Sequence, residues 1–184
     1  AKMDTTYPEG ALRMYFTTNH DENSWNGTIF ERMPNDYQAM YVLSSTLPNA
    51  IPLVYSGQEY GLNKRLAFFE KDTITGSDST LFDFYKKVVT LKMNHPTLQN
   101  GQYQGDFQPL PMDTSAPRLY GYTREKDGQM ILVLLNFSDE AGIFNLPEKV
   151  RKSWTSVLSG SEIVLSEKKT MSIPAHNYML LKSN

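Results

Sequence analysis

Arg13-Met14-Tyr15-Phe16-Thr17-Thr18-Asn19-His20-Asp21-Glu22-Asn23-Ser24-Trp25 falls into two parts. Residues 13–18 are aromatic and β-branched and predict a short strand, which runs out into a polar cluster. The layout recurs at Ile51-Pro52-Leu53-Val54-Tyr55-Ser56, which leads into Gly57-Gln58-Glu59-Tyr60-Gly61. That nearly continuous apolar run predicts a strand buried on both faces, as in a parallel sheet. Pro52 is tolerated near the start of such a strand.

Between the two stretches, apolar residues at Met40, Leu43 and Leu47, joined by Ala39, Tyr41 and Val42, recur at helical spacing from Asp36 onward. Asn35 is the expected N-cap, and Pro48 ends the helix. Residues 57–78 form a long polar connection of the kind that is either functional or disordered. A second helix comes next, with Leu81, Phe84, Tyr85, Val88 and Leu91 on one stripe. Ser79 or Thr80 is its expected cap and Pro96 bounds it. Strand–helix–strand–helix is the order of parallel βα units.

Beyond residue 100 the texture changes. Gly101, Gly105, Pro109, Pro111 and Pro117 punctuate a loop-rich stretch. Residues 118–123, 130–136, 153–158 and 177–182 then read as strands, with Asp127-Gly128 as a tight hairpin turn. Short strands separated by turn residues indicate an antiparallel β-sandwich. The expected class is therefore α/β plus all-β, divided at 1–99 and 100–184.

The 184 residues suffice for one ordinary domain or two small ones, and a net charge of −2 gives no reason for a nucleic-acid or anionic-membrane partner. The absence of Cys excludes disulfides, thiol nucleophiles and thiolate metal sites. No apolar run approaches the ~18 residues of a membrane span, and Ala1-Lys2-Met3-Asp4 has no apolar signal core. The compartment is left open.

In a βα barrel the C-terminal ends of the strands build the active face. His20-Asp21 and Gln58-Glu59 stand at two such ends and are expected to share one mouth. A helix cap or an Asn/Asp-rich surface turn would use the same residue types. His95 and His176 read as structural, and no set of Asp, Glu and His has metal-ligand spacing.

Residues 14–27, MYFTTNHDENSWNG, resemble the last conserved segment of the alpha-amylase superfamily, glycoside hydrolase family thirteen. Residues 51–61, IPLVYSGQEYG, resemble its eighth barrel strand. Residues 81–103, LFDFYKKVVTLKMNHPTLQNGQY, resemble its last barrel helix with a His-Pro-x-Leu ending. The remainder is similar to the family's C-terminal β-sandwich. The resemblance implies the last two βα units of a TIM-type barrel followed by that sandwich, and an α-glucan or malto-oligosaccharide substrate. It implies that Asp21 is the carboxylate that binds sugar hydroxyls and helps distort the ring, with His20 and Asn19 beside it. Trp25 and Tyr60 are candidates to stack on sugar faces or to pack in the core, and Glu59 to bridge neighbouring strand ends.

The family's nucleophile and acid/base come after its fourth and fifth strands, and nothing here matches either. The chain is therefore expected to begin just before strand seven and to be inactive alone. The missing barrel portion, or self-association, would cover its strands. Calcium, common in the family, would bind upstream in a parent enzyme; no cofactor is expected within this segment. Two other readings stand: a carbohydrate-binding module displaying Tyr120, Tyr122 and Trp154, and a partner subunit that has lost catalysis.

Overall fold

A computed structural model describes residues 7–8, 10–111 and 118–183. Ala1–Asp4 and Pro117, used in reading the sequence, lie outside these residues. The elements run β1 (Arg13–Phe16), α1 (Ile29–Arg32), α2 (Tyr37–Thr46), β2 (Ala50–Leu53), α3 (Ser79–Asn94), β3 (Asp106–Pro109), β4 (Leu119–Lys126), β5 (Gln129–Asn136), β6 (Gly142–Asn145), β7 (Ser153–Ser156), β8 (Glu162–Val164), β9 (Thr170–Ile173) and β10 (Asn177–Ser183).

β1 and β2 pair in parallel, from Arg13 opposite Ala50 to Phe16 opposite Leu53. Parallel neighbours need a long crossover, and α2 lies within it. Strands β3-β4-β5-β10-β7-β8 form a six-stranded sheet, and β6-β9 a separate pair. All pairings in these two sheets are antiparallel. Asp127 and Gly128 both take positive φ, 52° and 76°, which gives the two-residue turn that sets Lys126 opposite Gln129.

The six-stranded sheet is the middle layer of three. Along β5, Ile131, Val133 and Leu135 face a core shared with Tyr41 and Val42 of α2 and Leu81, Phe84, Tyr85, Val88 and Leu91 of α3. The alternate residues Met130, Leu132 and Leu134 face a second core with Phe144, Trp154 and Ile173. Period-two alternation thus yields an unbroken apolar run, because both faces of β5 are covered. Leu180 and Leu181 divide in the same way between the two cores.

Polar groups fasten the helical layer to the sheet. The Arg124 guanidinium, fully buried, donates from Nη1 to the Thr46 carbonyl at 2.8 Å and from Nη2 to the Gly105 carbonyl at 3.0 Å. A cation is favourable at the end of α2, where unpaired carbonyls collect; burial nevertheless pulls the Arg124 pKa down to about 10. Thr46 Oγ1 donates to the Val42 carbonyl, so the Tyr122 hydroxyl is the donor in its 2.6 Å contact with Thr46 Oγ1. Lys92 donates to the Leu98 carbonyl at 2.5 Å and to Asn100 Oδ1 at 2.8 Å, and burial lowers its pKa to about 8.

Several expectations need correction. The strand at Ile51 is not buried on both faces: Ile51 is 39% exposed, and Leu53 and Val54 are only partly buried. α2 starts one residue later than an Asn35 cap requires. Its N-cap residue, Asp36, makes no capping bond because its carboxylate meets His176. α3 is capped by Asp78, which accepts from the Leu81 amide at 2.9 Å, rather than by Ser79 or Thr80. β3, β6, β8 and β9 add to the four strands expected beyond residue 100. Tyr122 and Trp154 are buried while Tyr120 is exposed, so these three residues do not form a sugar-binding face.

Candidate functional site

Both parallel strands run into turns that hold the expected residues. After β1, the Asn19 side chain accepts from the Glu22 amide at 2.8 Å and starts a π-helical turn over Glu22–Asn26. The turn lifts His20 and Asp21 into solvent: their side chains are 65% and 60% exposed, with Nε2 and Oδ2 3.6 Å apart. After β2, Gly57 takes φ +78°, and a Cβ there would sit 2.7 Å from Ile74 and 2.8 Å from Leu62. Glycine is required on both counts. The reversal leads into the short helical turn Gln58–Tyr60.

Gln58 joins the two tips. Its Nε2 donates to Thr17 Oγ1 at 2.7 Å and to the Tyr85 hydroxyl at 2.8 Å, and its Oε1 accepts from the Tyr55 amide at 3.0 Å. One buried amide therefore spans the ends of β1 and β2 and the flank of α3. Burial pushes the Tyr85 hydroxyl pKa well up, so it stays protonated. The bridging role expected of Glu59 belongs to the residue before it. Tyr60 lies on Phe82 with ring centroids 5.3 Å apart and planes 16° from parallel, which makes it part of the α3 packing.

The connection over residues 57–78 is ordered by the segment after β1. The Leu66 amide donates to Asn23 Oδ1 at 2.7 Å, Ser24 Oγ to the Leu66 carbonyl at 2.7 Å, and Asn23 Nδ2 to the Lys64 carbonyl at 3.1 Å. Thr28 and Glu31 form a capping box at α1. Glu31 is also gripped in bidentate fashion by Arg65 at 3.0 Å and 3.0 Å, which holds its carboxyl down at about 2. Asp72 closes the loop on itself: it pairs with Lys64 and accepts from the Ala67 and Thr73 amides, which holds its pKa at about 2.

Four of the neighbouring acids are thus committed. Glu22 pairs with Arg32 at 3.0 Å, Glu31 with Arg65 and Asp72 with Lys64, while Asp78 caps α3. Asp21 faces only His20 in an ion pair among the described residues. Trp25 is 60% exposed and its ring lies 5.3 Å from that of Phe68, which in turn lies 5.6 Å from the His20 ring. Trp25 is therefore on the surface beside His20 and not in the core. Among the described residues no three His, Asp or Glu converge as a metal centre.

Residues 111–180 match the family described as maltogenic amylase, C-terminal domain. Alpha-amylase 2 of Dictyoglomus thermophilum is 31% identical over 147 residues, 73% of this chain and 24% of that protein. A probable oligo-1,6-glucosidase of Bacillus subtilis is 26% identical over 148 residues, 74% of this chain and 25% of that protein. The chain spans about a quarter of the length of these curated relatives. The crystal structure of a maltogenic alpha-amylase from Thermotoga neapolitana superposes with a TM-score of 0.75 at 20% identity, covering 96% of this chain and 42% of that one. The chain belongs to the alpha-amylase family, as its C-terminal region.

Proposed function

We propose that this chain is the C-terminal part of a retaining glycosidase acting on α-linked glucans. Residues 1–99 supply the last two βα units of a TIM-type barrel, and residues 100–184 its antiparallel sandwich. The observation that carries the reading is the parallel pairing of β1 with β2, which brings Asn19-His20-Asp21 and Gln58-Glu59 to one end, locked by Gln58 on Thr17. Strand ends of this kind build the mouth of a barrel enzyme.

Glycosidic cleavage develops positive charge on the sugar ring. The Asp21 carboxylate, uncommitted to any Lys or Arg among the described residues, supplies the opposing charge and accepts from sugar hydroxyls, whose hydrogen bonds tighten in the transition state. His20 adds a second contact to those hydroxyls, and Asn19 shapes the turn that presents both. Retention needs two further carboxyl groups about 5–5.5 Å apart, a nucleophile and an acid/base. Other strand ends provide these, so the chain alone does not turn substrate over. Exposed Met14, Phe16 and Ile51 on β1 and β2 support the same reading: they are the surface on which further barrel strands lie, or a second copy where those are lacking.

The test is a chimera of the Dictyoglomus Alpha-amylase 2 in which this chain replaces the matching quarter. It should hydrolyse maltoheptaose, and Asp21→Asn should lower its rate on the order of 10²–10³-fold. The 184-residue chain by itself should show no turnover. An Asp21→Asn chimera of unchanged rate, or amylase-level turnover by the chain alone, overturns the proposal.

A further inference from the structure

Three aromatic rings stand together in solvent beside the strand tips. Phe69 is 83% exposed, Trp25 60% and Phe68 38%. Phe68 is the centre of the group, with its ring 5.3 Å from Trp25, 4.7 Å from Phe69 and 5.6 Å from the imidazole of His20. Rings this exposed add nothing to a core. They are also not there through looseness, since the backbone on both sides is fastened. Leu66, buried, is bonded through its amide and carbonyl to Asn23 and Ser24, and Ala67 and Thr73 donate to Asp72 across the turn. The structure holds an apolar surface rigidly toward water where the Asp21 carboxylate, with no Lys or Arg partner among the described residues, and the His20 imidazole also face out.

We propose that Phe68, flanked by Trp25 and Phe69, is the ring-stacking wall of a sugar site whose polar wall is His20 and Asp21, and that it takes the C–H face of an α-linked glucosyl unit. A pyranose is amphipathic, with an apolar face and a rim of hydroxyls. Sites for such ligands combine apolar lining with a few placed polar groups. His20 lies at the join, between Phe68 on one side and Asp21 Oδ2, 3.6 Å from its Nε2, on the other. A sugar ring lying on Phe68 would thereby present its hydroxyl rim to His20 and Asp21. Phe68 is a positioning residue: it touches substrate away from the reacting bond. The inference rests on the reading of Asp21 and His20 as hydroxyl contacts.

The experiment is a fluorescence titration of the full chain with maltoheptaose. The chain has two Trp, and Trp154 is fully buried with its indole N–H on the Val150 carbonyl at 2.9 Å, so Trp25 is the reporter. A saturable change in emission is expected, absent in Trp25→Phe. Phe68→Leu keeps the apolar volume but removes the π face, and should weaken binding by about two- to tenfold. Phe68→Tyr, which retains the face, should bind as the parent does, and circular dichroism should show all variants folded alike. Asp21→Asn should also weaken binding. Unchanged affinity in Phe68→Leu, or no saturable change with the unmodified chain, overturns the stacking wall. Unchanged affinity in Asp21→Asn with weakened Phe68→Leu overturns the hydroxyl reading and leaves the wall standing.

Discussion

β2 and β5 carry the same texture in sequence, a run of consecutive apolar residues, and end in opposite surroundings. From Ile131 to Leu135, β5 has no exposed residue, because α2 and α3 cover one face and β6 with β9 the other. In β2, Ile51 stays 39% exposed; on β1, Met14 opposite it is 61% exposed and Phe16, opposite Leu53, 43%. An apolar run states how many faces must be covered, not what covers them. For β5 both covers belong to this chain; for β2, α2 is one and further strands are the proposed other.

Deletions on the two strands should separate them most sharply. Leu132→Ala removes a fully buried side chain from the sandwich core and should cost about 2–5 kcal/mol. Ile51→Ala, measured at a dilution where the chain is monomeric, should stay within about 0.5 kcal/mol, as substitutions on exposed surface do. Urea unfolding of both variants checks this, and equal losses would mean that β2 is covered after all. Gln58→Ala should cost about 1–3 kcal/mol, because Thr17 and Tyr85 lose their buried partner. Amide exchange should then quicken at the tips of β1 and β2 while β5 keeps its protection.

Association probes the open face directly. The chain should show a mass above that of a monomer in light scattering, and Met14→Lys should shift it toward the monomer with little change in stability. A clean monomer for the unmodified chain would count against an adhesive β1–β2 face. The smallest effect concerns His176, whose ring nitrogens meet Asp36 at 3.0 Å and Asp139 at 2.9 Å and tie the start of α2 to the sandwich turns. The hydrogen bond to Asp36, then that to Asp139, raises its pKa above 6.5. A raised folded pKa means that the stabilisation is complete below the unfolded value and fades as pH climbs through the folded one. Half-buried His95, lowered by desolvation, works in the opposite sense, so the His176 part is read as the stability difference between the parent and His176→Gln. That difference should shrink as pH rises past the raised pKa.

The sequence showed best those elements whose signal is local. β4, β5 and α3 are legible from runs and stripes of eight or more residues, and the β4–β5 turn from Asp127-Gly128. β3, β6, β8 and β9 have three or four residues each and, unlike the equally short β1 and β2, lie in no longer aromatic or apolar run that sets them apart from loop texture. The caps of α2 and α3 lie a residue or two from their expected places. Asp36 leaves no local sign of its role because its carboxylate answers to a histidine 140 positions away. At the site, the polar triplet after β1 and the Gln-Glu pair after β2 are visible in the sequence. Which member of that pair bridges depends on the turn at Gly57. Phe68 gives no local sign, since what places it is a bond from Leu66 to Asn23, 43 residues back.

β10 lies between β5 and β7 in the six-stranded sheet, paired along Asn177–Lys182 with one and Leu181–Ser183 with the other. The sheet consequently cannot be assembled in the order in which it is synthesised. A ribosome adding about 5–20 residues per second leaves the inner edge of β5 unpaired for seconds, until residues 177–183 emerge to fill it. The nascent protein is most exposed to chaperones and to mispairing in that interval, and a stop codon before position 177 would leave two half-sheets with no strand to join them.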